Sequence, residues 1–399
     1  MKKTWLFFLF AFLWLTGCYV PESIETSLPM ENSADKYFEN QQVEFFAWNG
    51  SVMCKIGNIY YYSLHNFMHF YDTKTGIHDF LCGKPECDHT DPKTCNAVLE
   101  TENFLAAYDG WIYNVNYEKE EHVLFRISTD GAIRERVCTI PDPTGWNGLI
   151  ALHQDAIYVS KTNQEVINGK PAGHFTFYCQ KIGTEKPELI FAKEAMFIDR
   201  NHFLFVDDEL YFSISYLDEM ADGADYTRLT ELWNYHVSSK EWELLWQGAL
   251  PGNGQLESFW PKDGKLICGV LDWEQERDMI LTFDIGKKEF EAPIYIGEEF
   301  LNLDVSEKYV ITSGGVECFY IFDHEGRQVG FYDLTPESEG EVLGPDGTFM
   351  GTDGDAVFVQ VKHAVFDGER EHVKYAVYRL TPGADAEKMD EVEIIGMLE

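Results

Sequence analysis

No apolar run in this chain reaches the roughly 20 residues that a membrane-spanning helix needs; the longest, Trp5–Leu15, stops at eleven. Basic residues are scarce, 31 Lys and Arg against 68 Asp and Glu, for a net charge of −37. A field of that sign repels polyanions, so nucleic acid is excluded as a partner. The sequence also has no helical nucleotide-binding loop and no Gly-x-Ser-x-Gly elbow, and with them go two large enzyme classes. Repeating Trp-Asp pairs, kelch glycine pairs and quinoprotein tryptophans are missing too. The nearest approach to a sialidase box, "STDGAIRE" at 128–135, lacks its pattern. Cysteine is sparse everywhere but in one place.

The apolar run itself is informative. It follows Lys2 and Lys3 and ends in Leu15-Thr16-Gly17-Cys18. A short positive region, an apolar stretch of this length and a small-residue site compose a secretory signal. The four closing residues resemble the bacterial lipobox, where cleavage before the cysteine frees a thiol that takes a diacylglycerol. Residues 1–17 are thus expected to be a signal peptide and Cys18 the lipidation site. Two acyl chains give stable anchoring where one is marginal. The expected location is the extracytoplasmic side of the cell membrane. Loss of Lys2 and Lys3 takes the net charge from −37 to −39. Residues 18–42, polar and acidic with two prolines, read as a flexible tether.

From residue 43 to 399 one unit recurs. It has a short strand, an Asp-Gly type turn, an apolar and aromatic strand, a third strand, a turn and a fourth strand. The second strand reads "GNIYYYS" at 57–63, "GWIYNVN" at 110–116 and "DAVFVQV" at 355–361. Its aligned column is Tyr60, Tyr113, Tyr158, Tyr211, Ile267, Val310 and Phe358, at spacings of 43 to 56 residues. Four short strands at a period near 50 are the pattern of a β-propeller blade, whose two faces are buried only by its neighbours. The expectation is an all-β, seven-bladed β-propeller of four-stranded antiparallel blades. Turns between first and second strands are short. Long connections fall at 160–174, 214–230, 333–346 and 361–373. In an up-and-down blade those connections share one end of the disc, and a loop-rich face on a rigid scaffold is where binding concentrates.

The exception in cysteine usage is "LCGKPECDHTDPKTCNA", residues 81–97, which holds Cys82, Cys87, His89 and Cys95. The spacing C-x4-C-x-H-x5-C suits a structural zinc with three thiolates and one imidazole, although it is not that of a standard finger. A disulfide among the three cysteines is the rival outside the cytoplasm, with one thiol left over. A catalytic thiol beside His89 is a third reading, with no partner to orient it. The remaining Cys54, Cys138, Cys179, Cys268 and Cys318 sit in strands as small apolar residues. The lipobox together with this loop at the end of the first unit resembles uncharacterised β-propeller lipoproteins of Gram-positive anaerobic bacteria. That resemblance implies fold and location and carries no activity.

Trp146, Tyr216, Tyr226 and Trp273 fall in or beside long connections near acidic residues, a combination suited to stacking on a sugar or a protein surface. Asp218, Glu219, Asp222 and Asp225 supply oxygen ligands without the spacing of a calcium loop. His363 and His372 read as surface residues. No catalytic residue is assigned. The reading is a lipid-anchored binding module with a protein or glycan ligand. The alternatives are a carbohydrate-active hydrolase or lyase using loop carboxylates in the central depression, and a scaffold for envelope proteins.

Overall fold

A computed structural model describes residues 42–44, 53–89, 94–99, 104–143, 148–167, 170–219, 226–297, 302–313, 318–335, 341–366 and 370–397. The expected signal peptide, Cys18 and nearly all of the expected tether lie outside these. The chain forms seven antiparallel sheets in sequence order, spanning 53–80, 105–140, 149–195, 197–248, 255–296, 302–333 and 341–397, the outer strand of the fifth being split into Glu289–Phe290 and Ile294–Ile296. Each is a four-stranded meander, here called a blade, with strands A to D from the axis outward. The seven aligned residues all fall on strand B, where Tyr60 faces Lys55, Tyr113 faces Ala106 and Val310 faces Val305.

Both faces of a blade are apolar because both are covered. Strand B of blade 1, Ile59–Leu64, is buried at all six positions. Apolar clusters join each blade to the next, and the last joins Phe358 and Met389 of blade 7 to Tyr60 and Tyr62 of blade 1. Among the described residues no strand is exchanged between blades 1 and 7, and side chains seal the ring. The A–B turns are tight because left-handed backbone at both central residues matches strand twist, as at Asp109 (φ 48°) and Gly110 (φ 73°).

Three of the expected loops are strand. Residues 160–167 and 170–174 belong to Ala156–Ile167 paired with Lys170–Lys181, and 214–219 and 226–230 to Glu209–Glu219 paired with Tyr226–His236. Residues 361–366 and 370–373 belong to Ala356–Phe366 paired with Arg370–Leu380. These B–C hairpins of blades 3, 4 and 7 keep their ladders well past the six-residue strands of blade 1. Polar composition disguises them, as does Pro171. That proline is tolerated because strand D begins pairing only at Gly173, which leaves it on an edge.

Strand Gln42–Glu44 adds to the inner edge of blade 3, antiparallel to Leu149–His153. The expected end of the tether therefore meets the fold at Gln42. His363, expected at the surface, is buried (5% exposed). It shares the inward alternation of Val359 and Val361 on strand B of blade 7. His372 is half-buried, its Nδ1 at 3.1 Å from Glu393. Cys54, Cys138 and Cys268 are buried, and Cys179 and Cys318 partly so.

Candidate metal centre

The cysteine loop leaves blade 1 at the end of strand D, Ile77–Phe80, and precedes strand A of blade 2, Leu105–Tyr108. It thus rises on the end of the ring that carries the B–C hairpins. A turn closed by Cys87 N–H on the Lys84 carbonyl (3.1 Å) folds Cys87 back toward Cys82. Residues 97–99 then return beside strand C of blade 1. Met68 N–H donates to the Ala97 carbonyl and Leu99 N–H to the Asn66 carbonyl, both at 2.7 Å. That return brings Cys95 over the first two thiols.

One ligand atom from each of Cys82, Cys87, His89 and Cys95 lies within 4.8 Å of the other three. His89 Nδ1 is 3.3 Å from Cys95 Sγ. A tetrahedral zinc, with sulfur at about 2.3 Å and nitrogen at about 2.0 Å, needs ligand atoms roughly 3.5–3.8 Å apart, so the set needs only a small contraction. All eight described cysteines carry free thiols, and none is bonded to another.

The electrostatics of the loop also suit a cation. Burial pushes the Cys82 thiol up. Backbone N–H groups of Lys84 and Asn96 and the thiols of Cys87 and Cys95 more than offset this and hold it below its ordinary value. Cys95 goes the other way, pushed up to about 12 by burial, by the Cys87 thiol and by charge on Cys82. Adjacent thiols cannot all ionise unless positive charge sits among them. A divalent ion would supply that charge, and the N–H groups aimed at sulfur are already in place.

Neighbouring residues fix the frame. Asn96 Nδ2 donates to the Gly131 carbonyl at 2.7 Å and the Ala132 carbonyl at 3.1 Å, tying the loop to blade 2. Lys84 Nζ donates to the Thr94 carbonyl, clasping the two halves. Gly131 has φ +67°, and a Cβ there would stand 2.7 Å from the Leu81 carbonyl. The His89 ring stacks on Phe80 with centroids 4.7 Å apart. Asn96 was in view in the sequence; the roles of Phe80 and Gly131 appear only once two blades are brought together.

Of the other expected contact residues, Trp273 and Tyr216 have described side chains. Trp273 is exposed (54%), with the Arg228 guanidinium 5.9 Å from its ring. Tyr216 is buried, its hydroxyl donating to Glu231 (3.0 Å) and accepting from Gln247 (2.9 Å). Tyr226 opens strand C of blade 4 opposite Glu219, and its side chain is outside the described part, as is Trp146 entirely. Asp218 is exposed on strand B of blade 4, and Asp222 and Asp225 lie outside the described residues.

No protein-family model and no curated protein matches this chain. Solved structures do. A structure from an analysis of two prolyl endopeptidases aligns over 92% of this chain and 52% of its own, at 11% identity and a TM-score of 0.51. An acylaminoacyl peptidase aligns over 89% and 53% at 11% identity and a TM-score of 0.49. An oligogalacturonate lyase in complex with manganese aligns over 82% and 86% at 12% identity and a TM-score of 0.45. The chain thus spans about half the length of the two peptidases, and the likeness is one of fold.

Proposed function

We propose that this protein is a lipid-anchored propeller on the extracytoplasmic side of the membrane, acting as a binding module for a protein or glycan. Its working face is the end of the ring that bears the long hairpins, and zinc held by Cys82, Cys87, His89 and Cys95 is a structural clasp at the rim of that face. Thiolates and imidazole are zinc's preferred donors, and a site closed by four of them is structural rather than catalytic. The unequal growth of the blades carries the binding reading. Strands B and C have six residues each in blade 1 but eleven or twelve in blades 3, 4 and 7. At about 3.4 Å per residue the extra length is roughly 17–20 Å, none of it needed to close a ring. Phe175 and Tyr216 at the base of these hairpins pack in the core, and the ordered chain beyond them, which costs conformational entropy, is suited to contact with something else.

The test compares the full chain with a variant whose blade 4 hairpin is cut back, residues 217–228 replaced by Asn-Gly. Both are applied to a glycan array and to a panel of envelope proteins. Saturable binding by the parent and loss of it in the trimmed, folded variant supports the reading. Turnover of a glycan by the parent overturns it in favour of a hydrolase or lyase.

A further inference from the structure

Away from the cysteine loop, a cavity of about 260 Å3 opens at the edge of blade 2, on the same end of the ring as the long hairpins. Its walls come from the B–C hairpin, Trp111–Glu118 turning into Glu121–Ser128, and from the end of strand D at Thr139 and Ile140 with Asp142 beyond. The turn is tight and left-handed at Lys119 (φ 49°) and Glu120 (φ 69°), which sets Glu120 and Glu121 at the rim.

At the back is His122, with only 8% of its side chain exposed. Its Nδ1 is 3.4 Å from Asp142 Oδ1, and Asp142 Oδ2 is in turn held by Lys161 Nζ at 2.9 Å. Nε2 of His122 has no partner among the described residues although the ring lines the cavity. Burial holds this imidazole below its ordinary value, an effect that outweighs the Asp142 charge, so at neutral pH the ring is uncharged. With its proton on Nδ1 toward Asp142, Nε2 presents a lone pair. Tyr117, 47% exposed, packs edge-on to His122 with centroids 5.1 Å apart and leaves much of its ring open. Glu120 makes no hydrogen bond or ion pair with a described residue. Glu121 accepts from Thr139 Oγ1 at 3.4 Å and has Arg136 at 3.9 Å, which leaves most of its acceptor capacity unused.

The open groups are therefore an aromatic face, two carboxylates and an imidazole lone pair. All are electron-rich, and no Lys or Arg among the described residues lines the cavity. The complement is a group with only donors and a positive charge. We propose that this cavity is a seat for one organic cation, a protonated amine or guanidinium, held between the Tyr117 ring, the carboxylates of Glu120 and Glu121, and Nε2 of His122. A volume of about 260 Å3 takes a single such group rather than a drug-sized ligand. A neutral sugar would leave the carboxylates without countercharge. The inference rests on the reading of this end of the ring as the binding face, and it deepens that reading by naming the chemistry of one contact.

The experiment is calorimetric titration of the full chain with agmatine, with an acetylated and amidated Gly-Arg-Gly peptide, and with glucose. Agmatine and the peptide are expected to saturate at one site per chain. Tyr117→Ala should weaken binding ~3-fold through the lost cation–π contact. Glu120→Gln with Glu121→Gln should weaken it ~10-fold, and raising salt from 50 to 500 mM should also weaken it. All three positions are exposed, so these variants leave the core untouched. Tighter binding of the peptide assigns the seat to a basic side chain of a protein partner, and equal binding assigns it to free amines. Absence of saturable binding by either cation, binding untouched by the variants, or binding of glucose alone overturns the proposal. Trimming the blade 4 hairpin leaves this cavity intact, so failure of the wider binding face and failure of the cation seat are read separately.

Discussion

His69 Nδ1 lies 2.8 Å from Asp390 Oδ2 and so ties blade 1 to blade 7 across 321 positions of sequence. Tyr62 donates to the same oxygen at 2.7 Å, and His78 stands 3.0 Å from the other one. Burial alone would raise the Asp390 carboxyl. The hydrogen bonds from His69 and Tyr62 and the charge of His78 outweigh it and hold this group below its ordinary range. Lys55 Nζ on Asp353 at 2.7 Å is a second polar link in this seam, beside the apolar side chains packed there.

Asp390→Ala is expected to cost about 3 kcal/mol in urea unfolding, because it strands buried donors. Asp355→Ala breaks the exposed pair with Lys308 (2.8 Å) and should cost far less. Equal losses would show that the seam is not held at Asp390. A carboxylate held below its unfolded value stabilises the fold above that value and stops doing so as pH falls through its folded one. The parent should therefore lose stability below about pH 4, and Asp390→Asn should flatten that limb.

A second pH dependence has another origin. His153 is 2% exposed, stacks on Phe205 with centroids 4.4 Å apart, and has no partner on either ring nitrogen among the described residues. Burial pushes it down to about 4. The unfolded chain then takes up a proton near pH 6.5 that the folded chain refuses. Stability falls from about pH 6.5 toward pH 4, by about 2 kcal/mol at pH 5. His153→Phe keeps the stack and should remove that loss. Urea midpoints at pH 7 and pH 5 decide it, and an unchanged difference in the variant would place the titration elsewhere.

For the metal centre, protein purified under reducing conditions should carry close to one zinc per chain, lost in Cys87→Ser. A metal-free wild type linked by a disulfide would end the zinc reading. Gly131→Ala offers a test that touches no ligand. Its Cβ would press on the Leu81 carbonyl from a left-handed backbone. It should lower stability by about 1–3 kcal/mol and loosen the metal, read as faster zinc release to a chelator.

At the amino terminus, Cys18→Ala should abolish labelling by a fatty-acid probe and release the protein from membranes. Unchanged labelling would put the attachment at another residue.

The seven-fold column was legible because strand B is buried on both faces in every blade, which forces an apolar or aromatic residue at one recurring place. The cysteine loop was legible because its four donors are close in sequence, and a tight loop can gather them without help from distant chain. The hairpins were not, since antiparallel pairs that leave the ring need no apolar alternation, and "SKTNQEVI" carries none. The Asp390 seam and the His122 cavity were illegible for a different reason. Each joins residues from separate strands, and nothing local marks His69 or His122 as special.

Strand Gln42–Glu44 runs antiparallel to the innermost strand of blade 3, with Gln42 opposite Ala151 and Glu44 opposite Leu149. The chain thus comes in from the end where the Asp-Gly corners lie and heads for the opposite one. A fatty-acyl mooring upstream would pull on the blunt underside of the disc. The projecting ribbons would then point outward, away from the bilayer, open to the contact proposed for them.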